Sequence, residues 1–484
     1  MEIIKISKKD EVYLKIDCEA STAQEICDHF TFMVPGYTFM PAYRNRVWDG
    51  KIRLFNVHNH LLYGGLFEHL CKFLYVRDFK VKFESNFEIE KIEISDQFIQ
   101  SLKLPDRIQP RDYQLIAANH ALSHHRTLLL SPTASGKSLI IYILVRYLKL
   151  KTLILVPTTS LVSQMYNDFR EYGWDVANNC HTVFAGRDKG SELPVVISTW
   201  QSIYKLNQKY FEQYELVIGD EAHGFKSKSL TSIMTKCVNA KYRIGTTGTL
   251  DGTQTHELVL EGLFGKVYKV TSTKKLIDSK LLSPFTIKAI LLRHPDSICH
   301  DLRKISYQEE LEYLITSEAR NIFIKNLVLS LTTNTLLLFR FVEKHGRILY
   351  DMIKEETNVN NRKTFFVFGG TAADTREQIR AIVERETDSI IVASYGVFSV
   401  GINIRNLHNI VFASPSKSRI RNLQSIGRAL RKTKKKEVAT LYDIADDLSY
   451  GNHQNYTLDH YEERKKIYEE EKFSCAVYAV QLKT

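Results

Sequence analysis

At 484 residues, with a formal charge of +11, 44% hydrophobic and 25% charged residues, the chain exceeds one ordinary core and predicts roughly two to four packed domains with little disorder. The basic balance suits a polyanionic partner without requiring one. Seven cysteines without a C-x-x-C pair argue against a disulfide framework or a zinc site, and the longest apolar run, 139–145, is far too short to span a membrane, so a reduced cytoplasmic setting with no membrane association is expected.

Residues 1–95 are rich in aromatics and bases, with strand-like runs at 12–16 and 83–94 and an amphipathic stretch at 23–32, and predict a small α+β domain. Within it, Arg44, Arg46, Lys51 and Arg53 of the run 43–53 lie beside Tyr43, Trp48 and Phe55. Cations with stacking surface suit DNA. A hairpin turning at Asp49-Gly50, its aromatics forming the domain's core, accounts for the same residues, and alternation along a strand is compatible with both by burying Trp48 and exposing the arginines.

From residue 96 to 275, short apolar runs at 127–130, 152–156, 195–197, 216–218 and 242–244 alternate with helical stretches, the pattern of a parallel sheet covered on both faces. A second series at 335–341, 363–368, 389–393, 409–413 and 438–444 places another such domain within 276–455. The stretch 266–325 has no glycine and reads as an ordered connector, and 456–484 as a charged helical tail packed on the second domain. The expected fold class is α/β, two tandem parallel-sheet domains behind a small α+β domain.

The run into Ser131-Pro-Thr-Ala-Ser-Gly-Lys-Ser138 and on into an apolar helix is strand, loop, helix, the context of a phosphate-binding loop. Triphosphate chemistry needs inward-facing backbone N–H groups, a lysine on the phosphates and a hydroxyl on Mg²⁺; Thr133, Ser135, Gly136, Lys137 and Ser138 supply them. Alone, Gly-Lys-Ser is compatible with a chance turn. The second element decides: an apolar strand ends in Asp220-Glu-Ala-His223, an acidic pair where open α/β sheets bind ligands. Asp220 suits Mg²⁺ and Glu221 the attacking water. In the second series, Gln424-Ser-Ile-Gly-Arg428-Ala-Leu-Arg431 puts two arginines three residues apart, suited to transition-state charge on the γ-phosphoryl; a basic helix surface is the plainer reading.

This ordered set resembles the superfamily 2 helicases over 109–443. The resemblance implies two RecA-like P-loop domains and ATP hydrolysis with Mg²⁺. Arg111-Asp-Tyr113-Gln114 corresponds to the adenine-sensing motif, with Gln114 on the base edge. Pro157-Thr158 and Ser198-Thr199-Trp-Gln-Ser202 match strand-tracking motifs, and Thr247-Gly-Thr249, with His223, the coupling motif between ATP and nucleic acid. Gly370, Thr371 and Arg376 match a backbone-gripping motif, and 394–403, with Gly401, a nucleotide-coupling one. Ala134, Gly248 and Asn403 depart from the family pattern, but no core catalytic residue is missing. The forms Arg-Asp-Tyr-Gln and Thr-Gly-Thr resemble DNA-directed branches, and with the 43–53 run the chain resembles phage recombination helicases. That implies branched DNA (forks, four-way junctions) and RNA–DNA hybrids as substrates, replication and recombination proteins as possible partners, and the host cytoplasm as setting. A double-strand translocase that parts no strands and an ATP-switched junction-binding or annealing protein are the alternative readings. The oligomeric state is not encoded legibly, and a monomer is compatible with the sequence.

Overall fold

The computed structural model describes residues 2–483 except 88, 185, 187, 360, 401–403, 415, 417 and 431–437, and gives the backbone alone for 226, 373, 398–400, 420, 421, 428 and 429. The chain divides into two compact units, one of residues 1–131 and 136–270, the other of 132–135 and 271–484. Among the described residues no helix is long and apolar enough to cross a membrane.

The first unit begins with a five-stranded sheet in the order Phe55–Asn56, Leu61–Tyr63, Tyr13–Asp17, Ile3–Lys8, Lys80–Phe83. Alternation drives it: Ile4, Ile6, Leu14 and Ile16 point inward against the helices Ala20–His29 and Phe67–Val76, where Ile26, Leu70 and Leu74 meet them. Two expectations fail here. Among the described residues the strand ends at Phe83: Glu84 N–H still donates to the Ile6 carbonyl (2.9 Å), but further on Ile92 N–H donates to Ser123 Oγ (2.8 Å) and Ile94 N–H to Asn119 Oδ1 (2.9 Å), both side chains on the helix Asp112–His124 and not a neighbouring strand. Nor is Asp49-Gly50 a tight hairpin turn. Strands Thr31–Met33 and Lys51–Arg53 pair antiparallel across a long loop, 34–50, that contains a 3₁₀ turn at Tyr37–Phe39 and a short helix at Pro41–Arg44. Gly50 closes that loop at φ 81°, where a Cβ would stand 2.6 Å from the Tyr37 ring.

A parallel seven-stranded sheet follows, in the order Cys180–Val183, Val195–Thr199, Thr152–Val156, Leu216–Asp220, Tyr242–Thr247, Arg126–Leu130, Val267–Lys269. Its central strands are fully buried, as continuous apolar runs under helices on both faces require. The two outermost strands carry His181 and Thr182, or Tyr268 and Lys269, and for that reason do not stand out in the sequence. The helix Gln254–Phe264 has two apolar faces. Leu258 packs in the core of the N-terminal domain, Leu260, Leu263 and Phe264 in that of the sheet. Gly65 lies so close to this helix that a Cβ would be 1.9 Å from the Glu261 carbonyl oxygen, and the Glu261 carboxylate pairs with His69 at 2.6 Å.

The second unit holds another parallel seven-stranded sheet, ordered Thr364–Val367, Ile390–Ser394, Thr335–Phe339, Asn409–Phe412, Ala439–Asp447, Phe285–Arg293, Ser474–Gln481. The expected connector thus contributes a sheet strand, Phe285–Arg293. The expected helical tail is helix only over Tyr456–Glu470; Ser474–Gln481 returns as the edge strand. Two buried arginines of this unit are ion-paired, Arg464 with Asp443 at 2.9 Å and Arg320 with Asp446 at 2.8 Å.

Candidate active site

The phosphate-binding loop leaves the C-terminal end of Arg126–Leu130. The adjacent strand Tyr242–Thr247 lies between it and Leu216–Asp220, so Thr246 and Thr247 stand between the loop and the acidic pair. The Ser131 N–H donates to the Thr247 carbonyl at 2.8 Å, tying the loop to that middle strand. Ala134 and Gly136 both adopt left-handed backbone, φ 66° and 83°. That explains why glycine is the usual residue at Ala134's position. Ser135 donates to the Pro132 carbonyl (2.7 Å), closing the turn before the helix Lys137–Leu148.

Gln114 braces the loop from behind. Its Nε2 donates to the Gly136 carbonyl (3.3 Å), its Oε1 accepts the Arg111 N–H (2.8 Å), and a Cβ on Gly136 would meet it at 2.3 Å. Arg111 also donates to the Tyr113 hydroxyl at 2.7 Å. The adenine-motif residues and the loop therefore form one cluster.

Asp220 is buried and accepts from Thr246 Oγ1 at 2.7 Å. Burial and then the neighbouring Glu221 push its carboxyl above the ordinary carboxylate range; Lys137 and the Thr246 hydrogen bond only partly offset them. Glu221, itself at φ 52°, lies 3.9 Å from Lys137 Nζ and 3.3 Å from His223 Nδ1. His223 Nδ1 is 3.1 Å from Thr247 Oγ1, and that hydroxyl donates to the Thr249 carbonyl (3.1 Å), so the network assigns the imidazole proton to Nδ1. Coupling residues His223, Thr247 and Thr249 are thus in direct contact. Among the described residues no cluster of three or more His, Cys, Asp or Glu forms a metal cage. One buried carboxylate, Asp220, and the Ser138 hydroxyl in the first turn of the helix Lys137–Leu148 are the oxygen donors that suit a hard cation held mainly by phosphates and water, as Mg²⁺ is.

The strand-tracking residues also converge. Gln201 donates to the Pro157 carbonyl at 3.2 Å, Thr158 caps the helix Thr159–Glu171, and Thr199 Oγ1 is 2.8 Å from Ser202 Oγ. In the second unit, Thr371 accepts the Phe368 N–H (3.1 Å) and Arg376 donates to the Thr371 carbonyl (2.8 Å), fixing the turn through Gly370. Gln424 lies on the helix Arg419–Ala429, which carries Arg428 by its backbone; Gly401, Asn403 and Arg431 lie outside the described residues. In the N-terminal loop, Arg44, Arg46, Lys51 and Arg53 are exposed, whereas Trp48 is half-buried with Nε1 donating to the Lys51 carbonyl (2.8 Å). Phe55 is buried in the domain's core, as the core-building reading expects, whereas neither Tyr43 nor Trp48 joins it, so the stretch divides between the two readings.

Three family models match in order along the chain: DNA helicase UvsW, N-terminal, at residues 3–84; Type III restriction enzyme, res subunit, at 107–252; and the helicase conserved C-terminal domain at 319–433. The chain is 34% identical to the ATP-dependent DNA helicase uvsW of Enterobacteria phage T4, over 99% of this chain and 100% of that one. The chain belongs to the UvsW helicase family. The crystal structure of T4 UvsW matches it over 100% of both chains with a TM-score of 0.51. Identity to the DNA 3'-5' translocase XPB2 of Sulfurisphaera tokodaii is 26%, over 74% of this chain and 87% of that one. The DNA-bound Type ISP restriction-modification enzyme LlaBIII, at 16% identity and TM-score 0.57 over 77% of this chain and 32% of that one, shares the fold.

As a UvsW-family member the chain is an ATP-dependent helicase with two tandem RecA-like domains behind a small α+β domain. Two residues at its site carry no sequence signal. Tyr172 lies beyond the motifs, yet its hydroxyl is 2.8 Å from Ser138 Oγ. His256 is buried, with Nδ1 2.7 Å from Asp251 and Nε2 donating to the His223 carbonyl at 2.9 Å. A lone histidine in an amphipathic helix reads as packing; only the fold shows it touching the Asp-Glu-Ala-His segment.

Proposed function

We propose that the chain uses ATP hydrolysis to remodel branched nucleic acids in the host cytoplasm: migrating junctions, regressing forks and unwinding RNA–DNA loops. The observation that supports this most is the joining of a basic, exposed N-terminal loop to the ATP-site domain through one helix, Gln254–Phe264. Thr255 at its start donates to the Met33 carbonyl (3.4 Å) at the base of the loop, and the next residue, His256, reaches His223.

In this reading Lys137 anchors the phosphates, Ser138 and Asp220 would hold Mg²⁺, and Glu221 orients the attacking water. Bound Mg²⁺ supplies charge neutralisation on the phosphates. Arg428 and Arg431 stabilise the transition-state charge, with Gln424 beside them. Arg111, Tyr113, Gln114 and Gly401 bind the nucleotide, and Pro157, Thr158, Thr199, Gly370, Thr371 and Arg376 grip the sugar-phosphate backbone regardless of sequence.

The similarity to a protein named a DNA translocase favours a second reading, movement along duplex without strand separation. Parallel strand-displacement and triplex-displacement assays separate the two. Unwinding of forks and junctions supports remodelling; triplex displacement with no unwinding overturns it.

A further inference from the structure

The loop 34–50 and the strands that bound it expose apolar side chains that no packing need explains. Val47 is 81% exposed, Phe39 76%, Met33 42% and Met40 38%. They stand on a rigid support. Tyr37 and Tyr43 pack edge to face at 4.7 Å, the Val34 N–H donates to the Gly50 carbonyl (2.9 Å), Trp48 is pinned to Lys51, and Arg44 Nε donates to the Thr38 carbonyl (3.2 Å). A loop so braced cannot fold its apolar residues inward, so their exposure is a fixed feature of the surface.

Their surroundings select the partner. Residues 33–53 contain four cations, Arg44, Arg46, Lys51 and Arg53, against the single anion Asp49, which pairs with Arg53. The side chains of Arg46 and Lys51 form no hydrogen bond or ion pair among the described residues. Beside Val47 lies an open cleft of about 640 Å³, walled by Tyr43, Arg44, Arg46 and Trp48, surfaces on which a planar base can stack. Apolar tips among phosphate-binding cations are the composition of a base-step wedge.

We propose that this loop is the strand-parting element: Phe39 and Val47, supported by Met40, stack against the bases opened at a branch point, while Arg44, Arg46, Lys51 and Arg53 hold the flanking phosphates. The proposal rests on the N-terminal domain being a DNA-binding domain. Through Met33, Thr255 and His256 the loop is joined to the helix that touches the ATP site, so an ATP-driven stroke has a structural route to the wedge.

The test uses the full-length protein and a synthetic fork with 2-aminopurine at the branch point. The double variants are Phe39→Ala/Val47→Ala, which changes only exposed side chains, and Arg44→Ala/Arg46→Ala, which also removes the Arg44 bond to the Thr38 carbonyl and is therefore read by binding and salt slope alone. The first should lower the fork-unwinding rate roughly tenfold and abolish the 2-aminopurine fluorescence rise, with the salt dependence of fork binding unchanged because no cation is lost. Phe39→Trp should retain both signals. The second should reduce the salt slope by roughly one to two. Wild-type unwinding and fluorescence from Phe39→Ala/Val47→Ala, alongside a reduced slope in the arginine variant, overturns the wedge and leaves the DNA-binding reading standing. No change in affinity or slope from either variant overturns both and marks the loop as a protein-binding surface.

Discussion

The ATP site and the N-terminal loop solve opposite problems. At the ATP site nearly every polar group has a protein partner: Gln114 on the loop backbone, Thr246 on Asp220, and His223 shared between Glu221 and Thr247. In the N-terminal loop, large apolar groups and four cations face solvent on a braced backbone, and among the described residues two of those cations, Arg46 and Lys51, form no side-chain hydrogen bond or ion pair. The first is a preorganised reaction centre, in which fixed dipoles need little rearrangement. The second is a surface whose apolar tips are braced from beneath and make few contacts of their own. Chemistry is sensitive to tenths of an ångström at one end and to the mere presence of a side chain at the other.

The sharpest way to break this contrast is Glu221→Gln. It keeps the size of the side chain and removes the carboxylate beside Lys137 and His223, so hydrolysis should fall by about 10²- to 10⁴-fold, with fork affinity in an anisotropy titration unaltered. Turnover retained at a tenth of wild type or more refutes the role given to Glu221.

The joint between the two regions is the next target. Gly65→Ala forces a Cβ against the Glu261 carbonyl and should cost about 1–3 kcal/mol in stability by overpacking, read from chemical denaturation. DNA stimulation of the ATPase should fall in the folded fraction, while Gly190→Ala, outside the left-handed backbone region and with only Asp188 Oδ1 (3.8 Å) near an added Cβ, should leave that stimulation in place. Equal stimulation in wild type and Gly65→Ala removes the helix Gln254–Phe264 from the route.

How much of this was legible in the sequence follows the same division. Phosphate chemistry admits few residues at fixed spacing, so Lys137, Ser138, Asp220 and Glu221 stand out, and the buried central strands show as plain apolar runs. Side chains that act through shape do not. Trp48 stood out by its company of arginines, and it is the half-buried pin of the loop, whereas Phe39, outside any charged motif, is the exposed ring. The strands Phe285–Arg293 and Ser474–Gln481 went unrecognised because their partners lie far away in sequence, Ala439–Asp447 for the first and the first itself for the second. His256 and Tyr172 became visible only when distant segments met.

A smaller effect is expected from pH. Asp220 titrates above the ordinary carboxylate range, burial being the main cause. Only its ionised form binds a cation, so kcat/KM for ATP should fall on the acid side, through a limb displaced to higher pH than an ordinary aspartate gives. Because Mg²⁺ competes with the proton, raising Mg²⁺ should move that limb to lower pH. A limb indifferent to Mg²⁺ assigns it to another group.

The most direct test of a branched-DNA motor is the steady-state ATPase rate measured against single strands, duplexes, forks, four-way junctions and RNA–DNA loops of matched length. Stimulation that is greatest with the branched substrates is predicted; no stimulation by any of them contradicts the account.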